Sequence, residues 1–377
     1  MADVFSIADE FGPLKVIHVH DPAIDLKGIL VVDNIAKGPA LGGVRMAPDV
    51  TFQECFRLAR AMTWKNAAAD LPFGGGKVVV HGDPRMPREK KATLLRAFAS
   101  ALRKDEDYIF APDMGTDEEC MAWIRDEIGR VVGLPRLLGG IPLDEIGATG
   151  WGLRHACEIA LKAQGRTLEG TTFAVQGFGA VGKNAARFLS EKGAVLVAVA
   201  DIDGMIRDPD GLDVDRLIAL KEEGKNVTSY EGGEKLPRDE IIAQKCDLWI
   251  PAARPDVINE TNVHLMNAGM IVEGANIPAT ERSEEILHEK GVVVLPDFIA
   301  NAGGVICAAM DYRGSSESAV YDSIAEKIRR NTEEVLRVSR EKGITPRAAG
   351  MEIARERVIK AMSYRRYSIF STAPGFT

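Results

Sequence analysis

Lys65 in T-W-K-N and Lys77 in P-F-G-G-G-K stand twelve residues apart, and an A-P-D-M-G-T segment carrying Asp113 follows them. Lys65 alone would read as a solvated charge at a helix end, and Asp113 alone as a helix cap. Lys77 differs: it follows three glycines and precedes V-V-V, so its strand should be buried and its ammonium needs a reason to be there. Together, two ammonium groups and one carboxylate suit removal of hydride from a carbon that bears an amino group. Water must then attack the iminium, and the carbinolamine collapses to a keto acid and ammonia. Such a site needs a fixed cation for the α-carboxylate, a base working near neutral pH, and a carboxylate for protons at nitrogen. One of two neighbouring lysines is destabilised in its charged form, which suits it to act as that base. On this reading Lys65 holds the carboxylate, Lys77 transfers protons and activates water, and Asp113 shuttles protons to and from nitrogen.

A second constellation lies further along. Q-G-F-G-A-V-G, from Gln176 to Gly182, follows the strand-like T-F-A-V-Q and opens the helical N-A-A-R-F-L. Gly177, Gly179 and Gly182 then give a tight turn, close approach to a pyrophosphate, and a helix N-terminus aimed at it. Phe178, Ala180 and Val181 complete the turn. The next strand ends in Asp201, 24 residues past Gly177, where an acid binds the hydroxyls of the adenosine ribose. Ile202 and Asp203 follow, with no adjacent cation for a 2′-phosphate, so the reading is NAD, with Arg207 left as a group able to reach the site. Charged chemistry thus comes first and the dinucleotide second, and catalysis is expected in a cleft between two domains.

The supporting elements follow from periodicity. Residues 14–33 read as strands. His18 and His20 share a face there, but no third ligand sits at a useful spacing, so no metal site is expected. Phe52, Cys55, Phe56, Ala59, Met62 and Thr63 recur at helical steps, with Thr51 as cap and Glu54 as its capping-box partner. Pro72 and the three glycines should end that helix in a turn. Helices are expected near 90–104 and 116–125, separated by the strand Y-I-F-A. The Gly- and Pro-rich stretch before Gly150 marks a domain boundary. Beyond it, short apolar runs alternate with helix-length segments, the pattern of a doubly wound parallel sheet. Two amphipathic helices close the chain, the first with Val320, Ile324, Ile328 and Val335 inward, the second opening on Thr345 and Pro346.

At 377 residues the chain exceeds what one core serves, so two domains are the default. The expected division is 1–145 for substrate and oligomerisation, 146–330 for the dinucleotide, and 331–377 as helices returning to the first domain. The class is α/β, a mixed-sheet domain plus a Rossmann-like one. A net charge of −8 argues against a nucleic-acid partner. No apolar run is long enough for a membrane span, and no signal peptide is evident. Five isolated cysteines without a C-x-x-C pair suit a reducing cytoplasm, with Cys307 a small buried filler.

G-P-A-L-G-G-V-R-M, M-T-W-K-N, P-F-G-G-G-K, A-P-D-M-G-T, G-A-T-G-W-G, V-Q-G-F-G-A-V-G, E-G-A-N and P-D-F-I-A-N-A-G-G-V occur in one order between about residues 38 and 312. The set resembles the amino-acid dehydrogenase superfamily of glutamate, leucine, valine and phenylalanine enzymes. The resemblance implies the roles given above for Lys65, Lys77 and Asp113. It adds Gly42 and Gly43 at the substrate carboxylate, Thr149 at the nicotinamide amide and Asn276 at the nicotinamide ribose. Asn301 would orient substrate and nicotinamide, and Ala252 and Ala253 would border the dinucleotide. It also implies an amino acid or 2-oxo acid with ammonia as substrates, and a homo-oligomer, usually a hexamer or octamer.

Glutamate-specific members carry a lysine where this chain has Leu41, a serine-bearing pattern at Ala308, three residues after Val305, and a glutamine at Met62. All three changes remove polarity. Burying a carboxylate there without a partner costs several kcal/mol, whereas an apolar side chain gains about 0.8 kcal/mol per methylene. The expectation is therefore a hydrophobic, leucine-like L-amino acid. A-P-D-M-G-T-D-E-E-C-M-A-W and D-P-D-G-L-D look more like glutamate dehydrogenase, which stands as the alternative beside phenylalanine dehydrogenase. A non-catalytic sensor on the same scaffold is a remoter one.

Overall fold

The structure is a computed structural model describing residues 4–364. Its chain divides into two compact units, the first made, among the described residues, of 4–142, 305–317 and 353–364, the second of 143–304 and 318–352.

In the first unit, β1 (Lys15–Asp21), β2 (Leu26–Asn34), β3 (Ala40–Ala47), β4 (Gly74–His81) and β5 (Tyr108–Pro112) form one sheet in the order β1-β2-β4-β3-β5. β1 pairs with β2 and β2 with β4 in antiparallel fashion, whereas β4 pairs with β3 and β3 with β5 in parallel, so the sheet is mixed. Helices α1 (Phe52–Ala68), α2 (Arg88–Ala101) and α3 (Glu118–Ile128) accompany it. Leu30, Val32, Val44, Val78, Val80, Phe98, Phe110 and Trp123 build its principal core.

Three local features differ from what the sequence pattern predicts. Gly74, Gly75 and Gly76 are not a turn but the first residues of β4. They are glycines because other groups lie on top of them: a Cβ at Gly75 would sit 2.0 Å from the Thr63 amide nitrogen of α1, and one at Gly76 would sit 2.9 Å from the Tyr108 ring. Thr51 does cap α1, its hydroxyl accepting the Glu54 N–H at 3.1 Å, but the Glu54 carboxylate turns away to pair with Arg45. α3 is capped by Asp117, which accepts the Cys120 N–H, and so begins two residues later than the pattern suggests.

The second unit contains α4 (Ala148–Lys162), β6 (Thr172–Gln176), α5 (Ala180–Ser190), β7 (Val195–Ala200), β8 (Met205–Arg207), α6 (Val214–Glu222), β9 (Glu234–Leu236), β10 (Cys246–Pro251), β11 (Ala268–Val272), α7 (Glu281–Glu289), β12 (Val293–Leu295) and α8 (Asp297–Ala300). Its sheet runs β12-β11-β10-β6-β7-β8-β9. The five strands from β12 to β7 are parallel, and β8 and β9 add an antiparallel edge of three-residue strands too short to show in the hydropathy pattern.

After α9 (Gly303–Tyr312) come α10 (Glu317–Lys342) and α11 (Pro346–Ser363). Val320, Ile324, Ile328 and Val335 are all buried, and Thr345 Oγ1 accepts the Ala348 N–H at the start of α11. The units do not follow 1–145, 146–330 and 331–377 residue for residue. Residues 305–317 belong to the first unit and 318–352 to the second. A physical reason is that Trp151 Nε1 donates to Tyr321 O and Arg347 is tied into the second unit by three carboxylates. Residues 365–377 of the expected C-terminal segment lie outside the described residues.

Candidate active site

The strand β4 carries Lys77 through the middle of the first sheet, between β2 and β3, and its side chain is only 7% exposed. The parallel pairing of β3 with β5 sets Val44 opposite Pro112 and so brings Asp113 alongside Gly43. A Cβ at Gly43 would stand 2.6 Å from the Asp113 Cβ, so this close approach needs glycine. Lys77 Nζ then lies 2.7 Å from Asp113 Oδ2. Arg45 Nε donates to the same oxygen at 3.1 Å, while its Nη1 donates to Glu54 Oε1 at 2.7 Å. The Asp113 N–H donates to Thr116 Oγ1. Burial alone would raise the Asp113 carboxyl, but Lys77 and Arg45 outweigh it and hold it below the usual carboxylate range.

Gly42 lies beside this pair, its carbonyl accepting the buried Tyr108 hydroxyl at 2.7 Å. Lys65 occupies the last turn of α1, two residues past Thr63, whose backbone lies against Gly75. Leu41 is 1% exposed and Ala308 7%, both packed into the protein, while Met62 and Val305 are half-buried. The structure therefore joins Lys77 to Asp113 directly and adds Arg45. The V-R-M run carries no signal for this arginine's role, because its partner is set by strand register rather than by spacing.

The second unit builds its own site. β6 lies at the centre, with β7 on one side and β10 on the other, so the chain reverses direction across the sheet there. In such sheets ligands settle at this point, outside the carboxyl ends of the strands. A cavity of about 460 Å³ opens there, lined by Gly177, Phe178 and Gly179 after β6, Asp201 and Ile202 after β7, and Ala252 and Ala253 after β10. Gly177 adopts φ +97, and a Cβ on Gly182 would stand 1.9 Å from its carbonyl oxygen. Ala180 and Val181 open α5, whose N-terminus follows that turn. A pyrophosphate therefore fits the turn, with the helix dipole behind it.

Asp201 is not an open acceptor. Its Oδ2 takes the Val227 N–H at 2.9 Å and Lys221 Nζ at 3.1 Å, and its Oδ1 takes the Asp203 N–H. Lys221, Arg238 and Arg254 line the same cavity. None of these cations adjoins Asp201 in sequence; α6 and the loops after it fold back to deliver them. Arg207 instead lies in β8, 3.6 Å from Glu234.

Thr149 lies in the first turn of α4. Asn301 Nδ2 donates to Gly274 O, Ala275 O and Asn276 Oδ1, so the E-G-A-N and N-A-G-G segments form one cluster. The five cysteines are buried and free, and burial pushes the thiols of Cys55, Cys157 and Cys246 up to about 12. Among the described residues no group of three or more His, Cys, Asp or Glu could hold a metal, and no helix is long and apolar enough to cross a membrane.

Two family models match this chain. One, described as Glu/Leu/Phe/Val dehydrogenase, dimerisation domain, covers residues 13–130; the other, described as Glutamate/Leucine/Phenylalanine/Valine dehydrogenase, covers 139–366. The chain belongs to this family. It is similar to the glutamate dehydrogenase of Aeropyrum pernix, 39% identical over 88% of this chain and 85% of that protein. The NADP-specific glutamate dehydrogenase of Saccharolobus shibatae is 36% identical over 78% of this chain and 73% of its own length. Among solved structures, the hetero-hexameric glutamate dehydrogenase of Thermus thermophilus in its leucine-bound form superposes with a TM-score of 0.83, at 29% identity, covering 94% of this chain and 91% of that one. The two-domain fold and amino-acid dehydrogenase chemistry follow from this membership.

Proposed function

We propose that the protein catalyses the reversible oxidative deamination of L-glutamate to 2-oxoglutarate and ammonia with a nicotinamide dinucleotide. The observation that carries the reaction is the 2.7 Å contact between Lys77 and Asp113, beside the glycines of the substrate-carboxylate segment. Lys65 and the Gly42–Gly43 backbone hold the α-carboxylate. Asp113 accepts the proton leaving the amino nitrogen and releases it to solvent before the iminium forms. Lys77, in its neutral form, deprotonates the water that attacks the iminium carbon and passes that proton across the short hydrogen bond to Asp113, which delivers it to the nitrogen as ammonia departs. When bound, the nicotinamide accepts the hydride from Cα.

Both relatives reported above are named glutamate dehydrogenases, which supports glutamate over the leucine-like substrate expected from three positions. The burial of Leu41 and Ala308 agrees: both are packed as core, so the loss of polarity there says less about a bound side chain than spacing suggests. The apolar reading keeps one specific support. Leu41, Met62 and Ala308 supply no charge for a distal carboxylate, so glutamate requires another cation. Initial rates with glutamate, leucine, valine and phenylalanine test the choice; a higher kcat/KM for leucine than for glutamate would reverse it.

For the dinucleotide we infer binding of NAD through Asp201, with acceptance of NADP through the cations beside it. Lys221 offsets the charge of Asp201, and Arg238 and Arg254 supply further positive charge at the cavity mouth. Assembly as a homo-oligomer through the first unit is supported by the description of the family model that matches it.

A further inference from the structure

Ile277, directly after the E-G-A-N segment, adopts φ +48, a conformation that a β-branched residue rarely takes. It is also 54% exposed, so apolar packing does not hold it there. Its backbone is held instead. Its N–H donates to Asp297 Oδ2 at 3.0 Å, its carbonyl accepts the Asp256 N–H at 3.0 Å, and the Asn276 side chain before it accepts from Asn301. A strained backbone persists only where its surroundings over-determine it, and such strain gathers at functional sites.

The surroundings lead to one residue. Arg347, at the start of α11, donates from Nη1 to Asp297 Oδ1 at 3.1 Å, from Nη2 to Glu273 Oε2 at 2.8 Å and from Nε to Glu284 Oε1 at 2.7 Å. Its guanidinium also lies over the Phe298 ring. Glu273 Oε2 accepts the Asp297 N–H in addition. One guanidinium therefore ties both ends of the E-G-A-N segment to the P-D-F-I-A-N segment: Glu273 directly and Ile277 through Asp297.

We propose that Arg347 is a positioning residue for the nicotinamide half of the dinucleotide, fixing the strained Asn276–Ile277 turn through Glu273 and Asp297. This rests on the placement of Asn276 and Asn301 at the nicotinamide under the proposed function. The cluster sets three carboxylates against one cation. Burial drives Glu273 above the ordinary carboxyl range, against the pull of Arg347.

The test is steady-state kinetics of the full-length protein with NADH, alongside thermal melting and calorimetric binding of ADP-ribose, which lacks the nicotinamide. Arg347→Lys is expected to raise KM for NADH or lower kcat by about tenfold, since small misplacements of reacting groups cost up to about a hundredfold. Its ADP-ribose affinity should stay within about twofold of the parent. Adding Ile277→Gly to Arg347→Lys should recover most of the loss, because glycine takes this φ without strain. An Arg347→Lys protein with parental NADH kinetics and only a lower Tm would overturn the inference, leaving the cluster a structural tie. If that variant does not fold, Asp297→Asn is measured instead, with the same rise expected and parental kinetics again overturning it. Failure of the parent to bind ADP-ribose would instead remove the dinucleotide reading itself.

Discussion

Asp113 stands between two cations, 2.7 Å from Lys77 Nζ and 3.1 Å from Arg45 Nε, with one oxygen, Oδ2, serving both. Arg45 anchors the carboxylate and leaves Lys77 as the partner with which it can exchange a proton. Asp113→Asn keeps the shape and removes that exchange. We expect kcat to fall by about 10²–10⁴-fold, the range for losing a positioned acid–base group, with NADH binding kept. Fluorescence titration of NADH beside initial rates checks both halves, and parental kcat would remove Asp113 from proton transfer.

Lys221 is the group through which the protein should discriminate coenzymes. Lys221→Glu leaves Asp201 without its counter-charge and adds a second acid at the cavity mouth. The ratio of kcat/KM for NADP to that for NAD should drop by about tenfold or more, equivalent to losing one charge-assisted hydrogen bond of about 1.5–3 kcal/mol. An unchanged ratio would place the 2′-phosphate elsewhere.

His155 gives stability a pH dependence. It is buried between Arg154 and Arg329, its Nδ1 accepting from Arg329 Nε at 3.0 Å. Burial first, then the two arginines, lower it from 6.5 to about 4. Between these values the unfolded chain binds the proton and the fold does not, so stability falls as pH drops from about 6.5 toward 4. His155→Gln cannot take up that proton, so its Tm should decline less over that window than the parent's. Parallel declines in Tm would contradict a neutral buried imidazole.

Leu41 separates the two substrate readings. At 1% exposure it should tolerate lysine poorly, since a buried ammonium without a partner costs several kcal/mol. We expect Leu41→Lys to melt lower with no gain in glutamate over leucine. A variant that folds well and shifts toward glutamate would show that Leu41 faces the substrate side chain and would favour the apolar reading.

Much of the site is legible in the chain because its parts are local. Gly177 to Gly182 state a turn, a close approach and a helix start within six residues, and Lys77 announces itself as a cation inside an apolar strand. What escapes is set by tertiary register. Arg45 meets Asp113 only because β3 and β5 pair in parallel, and Lys221 meets Asp201 only because α6 folds back. Gly74 to Gly76 mislead for the same reason: their composition says turn, whereas the Asn34 carbonyl against Gly74, the α1 backbone against Gly75 and the Tyr108 ring against Gly76 demand them. Arg347 lies 74 residues from Glu273, and nothing in its helical pattern distinguishes it from a surface charge.

The most direct test is Lys77→Ala assayed in the aminating direction, following NADH oxidation with 2-oxoglutarate and ammonium. The parent should oxidise NADH only when both are present. The variant should lose that activity by about 10³-fold or more while still binding NADH. Turnover near the parent level in the variant, or a parent whose NADH oxidation ignores ammonium for every 2-oxo acid tried, would contradict it.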